Sequence, residues 1–201
     1  MNQKKELLSE INEIIDKVKF HYVEQIEATG SASAIYLAKP FIKDEFFAVL
    51  YGDDIMEGHA NPALSQLILM HEKTNANIIG GLKVKEELIP NYGIIDFDED
   101  FKIKTIIEKP SIKEAPSNVA GLGRYIIDSK IFDCIEKIPL KKGEYYFTDA
   151  MDLFLKTDPF YACIIDGRYY DIGSKIGFIK CNIDFALKKV DLKEELKNYI
   201  K

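Results

Sequence analysis

Leu7, Leu8, Ile11, Ile14, Ile15 and Val18 recur at alternating three- and four-residue spacing, which predicts an amphipathic helix from about Lys4 to Lys19. "FHYVEQ" then reads as a short strand, and "GSASAIYLAK" as a glycine-initiated helix that Pro40 stops. "FFAVLYG" is apolar at every position, the pattern of a central strand covered by helices on both sides. Asn61 and Pro62 signal a helix start, and Leu64, Leu67, Ile68 and His71 carry its stripe. "ANIIGGLKV" is the next strand; "NYGIIDF" and "IKTIIEKP", joined by the acidic turn "DEDFK", predict a hairpin.

"VAGLGRYIID" is a further buried strand feeding a short helix from Ser129 to Ile135, and Thr148 and Asp149 open another helix. "FYACIID" and "RYYDIG" are two late strands, Ser174 caps a long helix through "KIGFIKCNIDFALKK", and the tail "LKEELKNYIK" is helical. Strands alternating with helices, with one hairpin between, predict an α/β fold. Its sheet should be mostly parallel and Rossmann-like, with antiparallel additions and helices on both faces. No repeat or linker divides the 201 residues, so a single domain, 1–201, is expected.

Composition narrows the partners. A net charge of −6 without a long basic block argues against nucleic acid as a partner. An anionic small molecule held by a local cluster and a cation stays open. The N-terminal stretch lacks a signal-peptide core and no segment has membrane-spanning length, so a cytoplasmic protein without membrane attachment is expected. Cys134, Cys163 and Cys181 are far apart, with neither zinc nor disulfide spacing, and read as free thiols in a reducing compartment.

The candidate chemistry sits at strand ends, where open α/β sheets bind ligands. Asp53 follows "FFAVLY", and Asp171 follows "RYY" just ahead of the helix at Ser174. Two carboxylates on neighbouring loops are the protein share of a Mg²⁺ site whose remaining positions go to phosphate and water. Either aspartate alone reads equally as a turn or cap residue. In "IIEKP", strand alternation sends Glu108 and Lys109 to opposite sides. Glu108 could then accept from sugar hydroxyls and Lys109 face a phosphate, or both could be solvated charges at a strand end. Gly93 either admits a ligand to the backbone or eases a strand start. Gln25, at the end of "FHYVEQ", suits a nucleobase edge or solvent. His21, His59 and His71 are scattered, and no Ser/His/Asp or Cys/His arrangement is visible in the spacings.

In order, the stretches "FFAVLYGDDI", "NYGIIDF", "IIEKP", "APSNVAGLGRYIID", "YYFTDAM" and "GRYYDIGSKIGFIKCNIDFAL" resemble the bacterial UTP–glucose-1-phosphate uridylyltransferases, from about Tyr22 to Leu187. The resemblance implies a nucleotide-diphospho-sugar transferase fold and a Mg²⁺-dependent reaction of UTP with glucose 1-phosphate, giving UDP-glucose and pyrophosphate. It also implies residue roles. Asp53 and Asp171 would be the metal aspartates, and Glu108 the acid on the glucose hydroxyls. Lys109 would sit on the sugar phosphate, and the Gly93 backbone would meet the sugar. Gln25 and Gly30 would read uracil, and Asp149 matches the family's "TDA" aspartate. A homo-oligomer is implied as well.

Two departures stand out. The family's "GxGTR"-type loop and its "PKEM"-like lysine have no counterpart here, which implies an N-terminally incomplete version of the fold, the C-terminal part of the family's domain. "GSASA", Gly30 to Ala34, replaces the family's "GLGHA", with Ser33 at the histidine position. Competing readings follow: a uridylyltransferase inactive as this isolated chain, or a non-catalytic nucleotide-sugar-binding or regulatory module. A thymidylyl- or adenylyltransferase of the same fold is a further alternative.

Overall fold

The structure, a computed structural model, describes residues 2–200. The side chains of residues 1–7, of residue 10 and of Lys201 lie outside the described residues, and with them Leu7's part in the predicted stripe. The chain runs α1 (Asn2–Lys17), α2 (Ser31–Tyr36), β1 (Phe46–Leu50), β2 (Asp54–Gly58), α3 (Ala63–Thr74), β3 (Asn77–Lys83), β4 (Gly93–Phe97), β5 (Ile103–Glu108) and β6 (Val119–Asp128). It continues with α4 (Ile131–Ile135), α5 (Phe147–Phe154), β7 (Phe160–Ile164), β8 (Gly167–Asp171), α6 (Lys175–Ala186) and α7 (Val190–Ile200). α2 ends at Tyr36, short of the predicted Lys39, and Pro40 lies in a 3-10 turn, Lys39–Phe41, that follows it.

A six-stranded sheet in the order β5-β4-β6-β3-β7, with β1 also on β6, forms the centre; β2 and β8 make a separate two-stranded ribbon. The ten-residue β6 organises it. Alternation sends Tyr125 and Ile127 to one face, where they pack with Ile79, Phe147 and Phe154 under α2, α4 and α5. Ile126 points the other way, onto Ile78, Ile165 and Leu67 of α3. Both faces are therefore covered, and the α/β sandwich stands. The balance of strand directions differs from expectation: β3 and β7 are parallel, and the other pairings are antiparallel. The reason is β6 itself, which runs opposite to β1, β3 and β4 at once and so reverses most ladders.

Two expectations are corrected. "FHYVEQ" forms no strand; Tyr22 and Val23 lie exposed in an irregular segment, and a strand needs a ladder partner. β1 is not a central strand covered on both sides: it pairs with β6 along one edge and with no strand on the other among the described residues. Its Phe47 and Val49 reach the core, while Leu50 stays half exposed. Among the described residues no helix is long and apolar enough to cross a membrane.

Candidate active site

A cavity of about 360 Å³ opens where the ends of β1, β5 and β8 meet the start of β4. Asp53, Gly93, Glu108, Lys109 and Asp171 all line it. Asp53 sits in the turn between β1 and β2, closed by the Asp54 N–H donating to the Tyr51 carbonyl at 3.3 Å. The ribbon then registers Asp54 against Asp171, and the Ile172 N–H donates to the Asp53 carbonyl at 2.9 Å. Two residues remote in sequence are thereby set side by side. A Cβ added at Gly173 would stand 2.9 Å from Asp53 Oδ2 and 3.2 Å from Asp171 Oδ1, so both carboxylates crowd one point. Glycine there leaves that point open.

Asp171 is held from below. Its Oδ1 accepts from the Ser174 N–H at 3.3 Å, and its carbonyl accepts from the Ser174 hydroxyl at 3.0 Å. Ser174 Oγ in turn accepts from the Gly177 N–H and caps α6. Asp54 is the structural half of the pair. It is buried, and its two oxygens accept from the Gly123 N–H at 2.7 Å and the Tyr169 hydroxyl at 2.6 Å. Burial raises its pKa, partly offset by those two hydrogen bonds, while the neighbouring Asp53 charge raises it further. Burial and the same bond to Asp54 push the Tyr169 hydroxyl well up, so it stays a donor.

Across the cavity, Gly93 and Glu108 are cross-strand partners in the β4–β5 hairpin. A Cβ at Gly93 would come within 3.2 Å of both Glu108 Oε2 and Thr148 Cγ2, so glycine again keeps the space. Lys109 corrects the alternation argument. Its φ of 45° breaks the strand after Glu108, so both side chains turn into the cavity, with Lys109 Nζ 3.9 Å from Glu108 Oε1. The pair is partly exposed and contributes little as an ion pair, which leaves the ammonium available to an incoming anion.

Gln25, Gly30 and Asp149 are placed elsewhere. Gln25 lines a second cavity of about 520 Å³ with Ser33, Tyr36 and Tyr145, and its amide donates to Ser33 Oγ at 2.8 Å. Gly30, at φ 103°, begins α2 with the Tyr145 carbonyl against it; a Cβ would approach that oxygen to 2.6 Å. The short α2 separates the cavities, Ser31 lining the first and Ser33 the second. The Asp149 carboxylate turns to Lys141 Nζ at 2.7 Å, and its neighbour Thr148 lines the first cavity in its stead. Tyr92, Thr148 and Tyr169 are site residues that the sequence reading did not single out. For Tyr169 a signal existed: it lies two residues before Asp171 on one strand, hence on the same face.

Among the described residues no group of three or more His, Cys, Asp or Glu side chains forms a metal cluster. Two converging carboxylates beside an open cavity could hold a hard divalent cation, a class of ion that takes one or two carboxylates and fills its shell with phosphate and water.

Comparison with known proteins identifies the family. A model of the nucleotidyl transferase family matches residues 1–187. The UTP–glucose-1-phosphate uridylyltransferase of Staphylococcus haemolyticus is 41% identical over 98% of this chain and 70% of its own length. A UDP-glucose pyrophosphorylase crystallised with UDP-glucose superposes with a TM-score of 0.87 at 32% identity, over 94% of this chain and 74% of that one. The UTP-bound enzyme from Acinetobacter baumannii gives a TM-score of 0.82 at 29% identity, over 98% of this chain and 72% of its own. By that family match over residues 1–187 and the 41% identity, the chain belongs to the UTP–glucose-1-phosphate uridylyltransferase family of nucleotidyl transferases.

Proposed function

We propose that the cavity serves the joining of glucose 1-phosphate to UTP. A phosphate oxygen of the sugar attacks the α-phosphorus, the bond to the β-phosphate breaks, and UDP-glucose and pyrophosphate form. The convergence of Asp53 and Asp171 on Gly173, in the same cavity as Gly93, Glu108 and Lys109, carries this reading. Glu108 is placed to accept from glucose hydroxyls, while Gly93 lets the sugar approach the backbone. Lys109, in the same cavity, would face the sugar phosphate, where its charge would offset repulsion between two anionic substrates. The attacking oxygen is already anionic at neutral pH, so no general base is required. Asp53 and Asp171 would hold Mg²⁺. When bound, the ion supplies charge neutralisation across the reacting phosphates.

The three cysteines are unpaired, which fits work in the cytoplasm, and apolar side chains exposed on the helices fit a homo-oligomer. Binding without turnover is a second reading, favoured by one observation: Gln25 borders a different cavity from the carboxylates. The test is a calorimetric titration of UDP-glucose into the chain, paired with pyrophosphate release from UTP and glucose 1-phosphate with and without Mg²⁺. Binding together with Mg²⁺-dependent release supports the enzyme, and binding alone supports the module. Asp53→Ala should abolish the release while the circular dichroism spectrum stays unchanged; full activity in that variant removes Asp53 from the metal role.

A further inference from the structure

The turn that carries Asp53 is fastened by a side chain no role has yet touched. Arg124 lies on β6 opposite Leu50, directly beneath the turn. Its Nη1 donates to the Tyr51 carbonyl at 2.8 Å and to the Gly123 carbonyl at 2.9 Å, and its Nη2 donates to the Asp54 carbonyl. All three hydrogen bonds of this guanidinium among the described residues thus end on main-chain oxygens. Two of those carbonyls, at Tyr51 and Asp54, are the first and last of the four-residue turn that contains Asp53.

We infer that Arg124 is a positioning residue for the metal aspartate. A guanidinium is planar and rigid, with its donors at fixed separation. Bound at both ends of the turn, it fixes the span of Tyr51–Asp54 and so the direction in which Asp53 projects. The third bond, to Gly123, ties the turn to the central strand, whose next contact is the Gly123 N–H on the Asp54 carboxylate. Asp171 reaches the same point by a different route, through β8 and the Ser174 cap. Arg124 therefore governs one arm of the carboxylate pair and leaves the sugar side, Gly93 and Glu108, untouched. The inference rests on the proposed metal role of the pair.

The experiment titrates Mn²⁺, read by its electron paramagnetic resonance signal, into the chain saturated with UDP-glucose. Wild type, Arg124→Met and Arg124→Lys are compared, and UDP-glucose affinity is measured separately in EDTA. Arg124→Met should weaken Mn²⁺ binding about tenfold or more. Arg124→Lys should weaken it at least threefold, because one ammonium cannot span carbonyls that two nitrogens hold. In both, UDP-glucose affinity in EDTA should stay within twofold of wild type. If the methionine variant does not fold, the lysine variant decides alone. Wild-type Mn²⁺ affinity in Arg124→Lys overturns the inference, and so does an equal loss of Mn²⁺ and metal-free UDP-glucose binding, which marks a merely structural role. Failure of the wild type itself to bind Mn²⁺ removes the metal reading first, and this inference with it.

Discussion

Single residues divide between those whose chemistry the local sequence displays and those whose role depends on a distant partner. Glu108 is of the first kind. Its acid is half-buried at the end of β5, facing Gly93 across the hairpin. Hydrogen bonds to a charged group are worth about 1.5–3 kcal/mol. Glu108→Gln should therefore lower UDP-glucose affinity by roughly ten- to a hundredfold, with melting unchanged; calorimetry showing native affinity would detach Glu108 from the sugar. Cys163 is of the second kind, an apolar-flanked thiol in sequence and a buried one in the fold, whose pKa burial pushes up to about 11. The unfolded thiol ionises near its ordinary value of 9.0, below the folded one. The stability it lends is thus complete below that lower value and lost as pH rises through the upper one. Thermal melts at pH 8 and at pH 11 should show a larger loss in wild type than in Cys163→Ala. Parallel losses would show that the thiol titrates alike in both states.

At the scale of elements, punctuation was the most legible signal. Ser174 ahead of an apolar-periodic run predicted a capped helix, and the cap is present, with Oγ accepting from Gly177. Removing it by Ser174→Ala should cost about 1 kcal/mol, a melting decrease of roughly 2–4 °C for a chain of this size. The same hydroxyl donates to the Asp171 carbonyl, so Mn²⁺ affinity should fall with stability. Loss of stability with intact metal binding would mean that the ribbon alone aims Asp171. What the sequence could not display was partnership. "FFAVLYG" is apolar enough for a central strand, yet apolar character says nothing of which edge finds a ladder. "FHYVEQ" has strand composition and no ladder at all, while Lys109 leaves the strand alternation through a backbone angle that its sequence does not announce. Strand-end position makes Asp53 and Asp171 candidate partners, but their meeting is not fixed by local sequence, because the β2–β8 ribbon that joins them is a long-range pairing.

Over the whole molecule, burial is uneven, and the unevenness predicts behaviour in solution. The sheet core is closed on both faces, with Phe147, Phe154, Phe160 and Ile127 essentially inaccessible. Two of the outer helices, α1 and α6, are not. Leu8, Ile11, Ile14 and Ile15 on α1 and Ile176, Phe178 and Ile179 on α6 are each about half exposed or more. Scattered apolar residues on a surface are ordinary, but runs along one helix make contiguous patches, which soluble monomers rarely expose. β1 adds an edge without a strand partner among the described residues, and such edges template pairing. Each apolar side chain taken from water gains about 1.5–3 kcal/mol, so covering several together offsets the entropy of association. Sedimentation velocity should accordingly show a mass above 23.0 kDa that rises with concentration. Ile176 and Ile179 lie three apart on one face of α6, and the double substitution Ile176→Lys with Ile179→Lys should lower that mass while leaving the sheet core and UDP-glucose binding intact. A 23.0 kDa species at every concentration would sink the self-association. An undiminished assembly in the double variant would move its contacts from α6 to α1 or to the β1 edge.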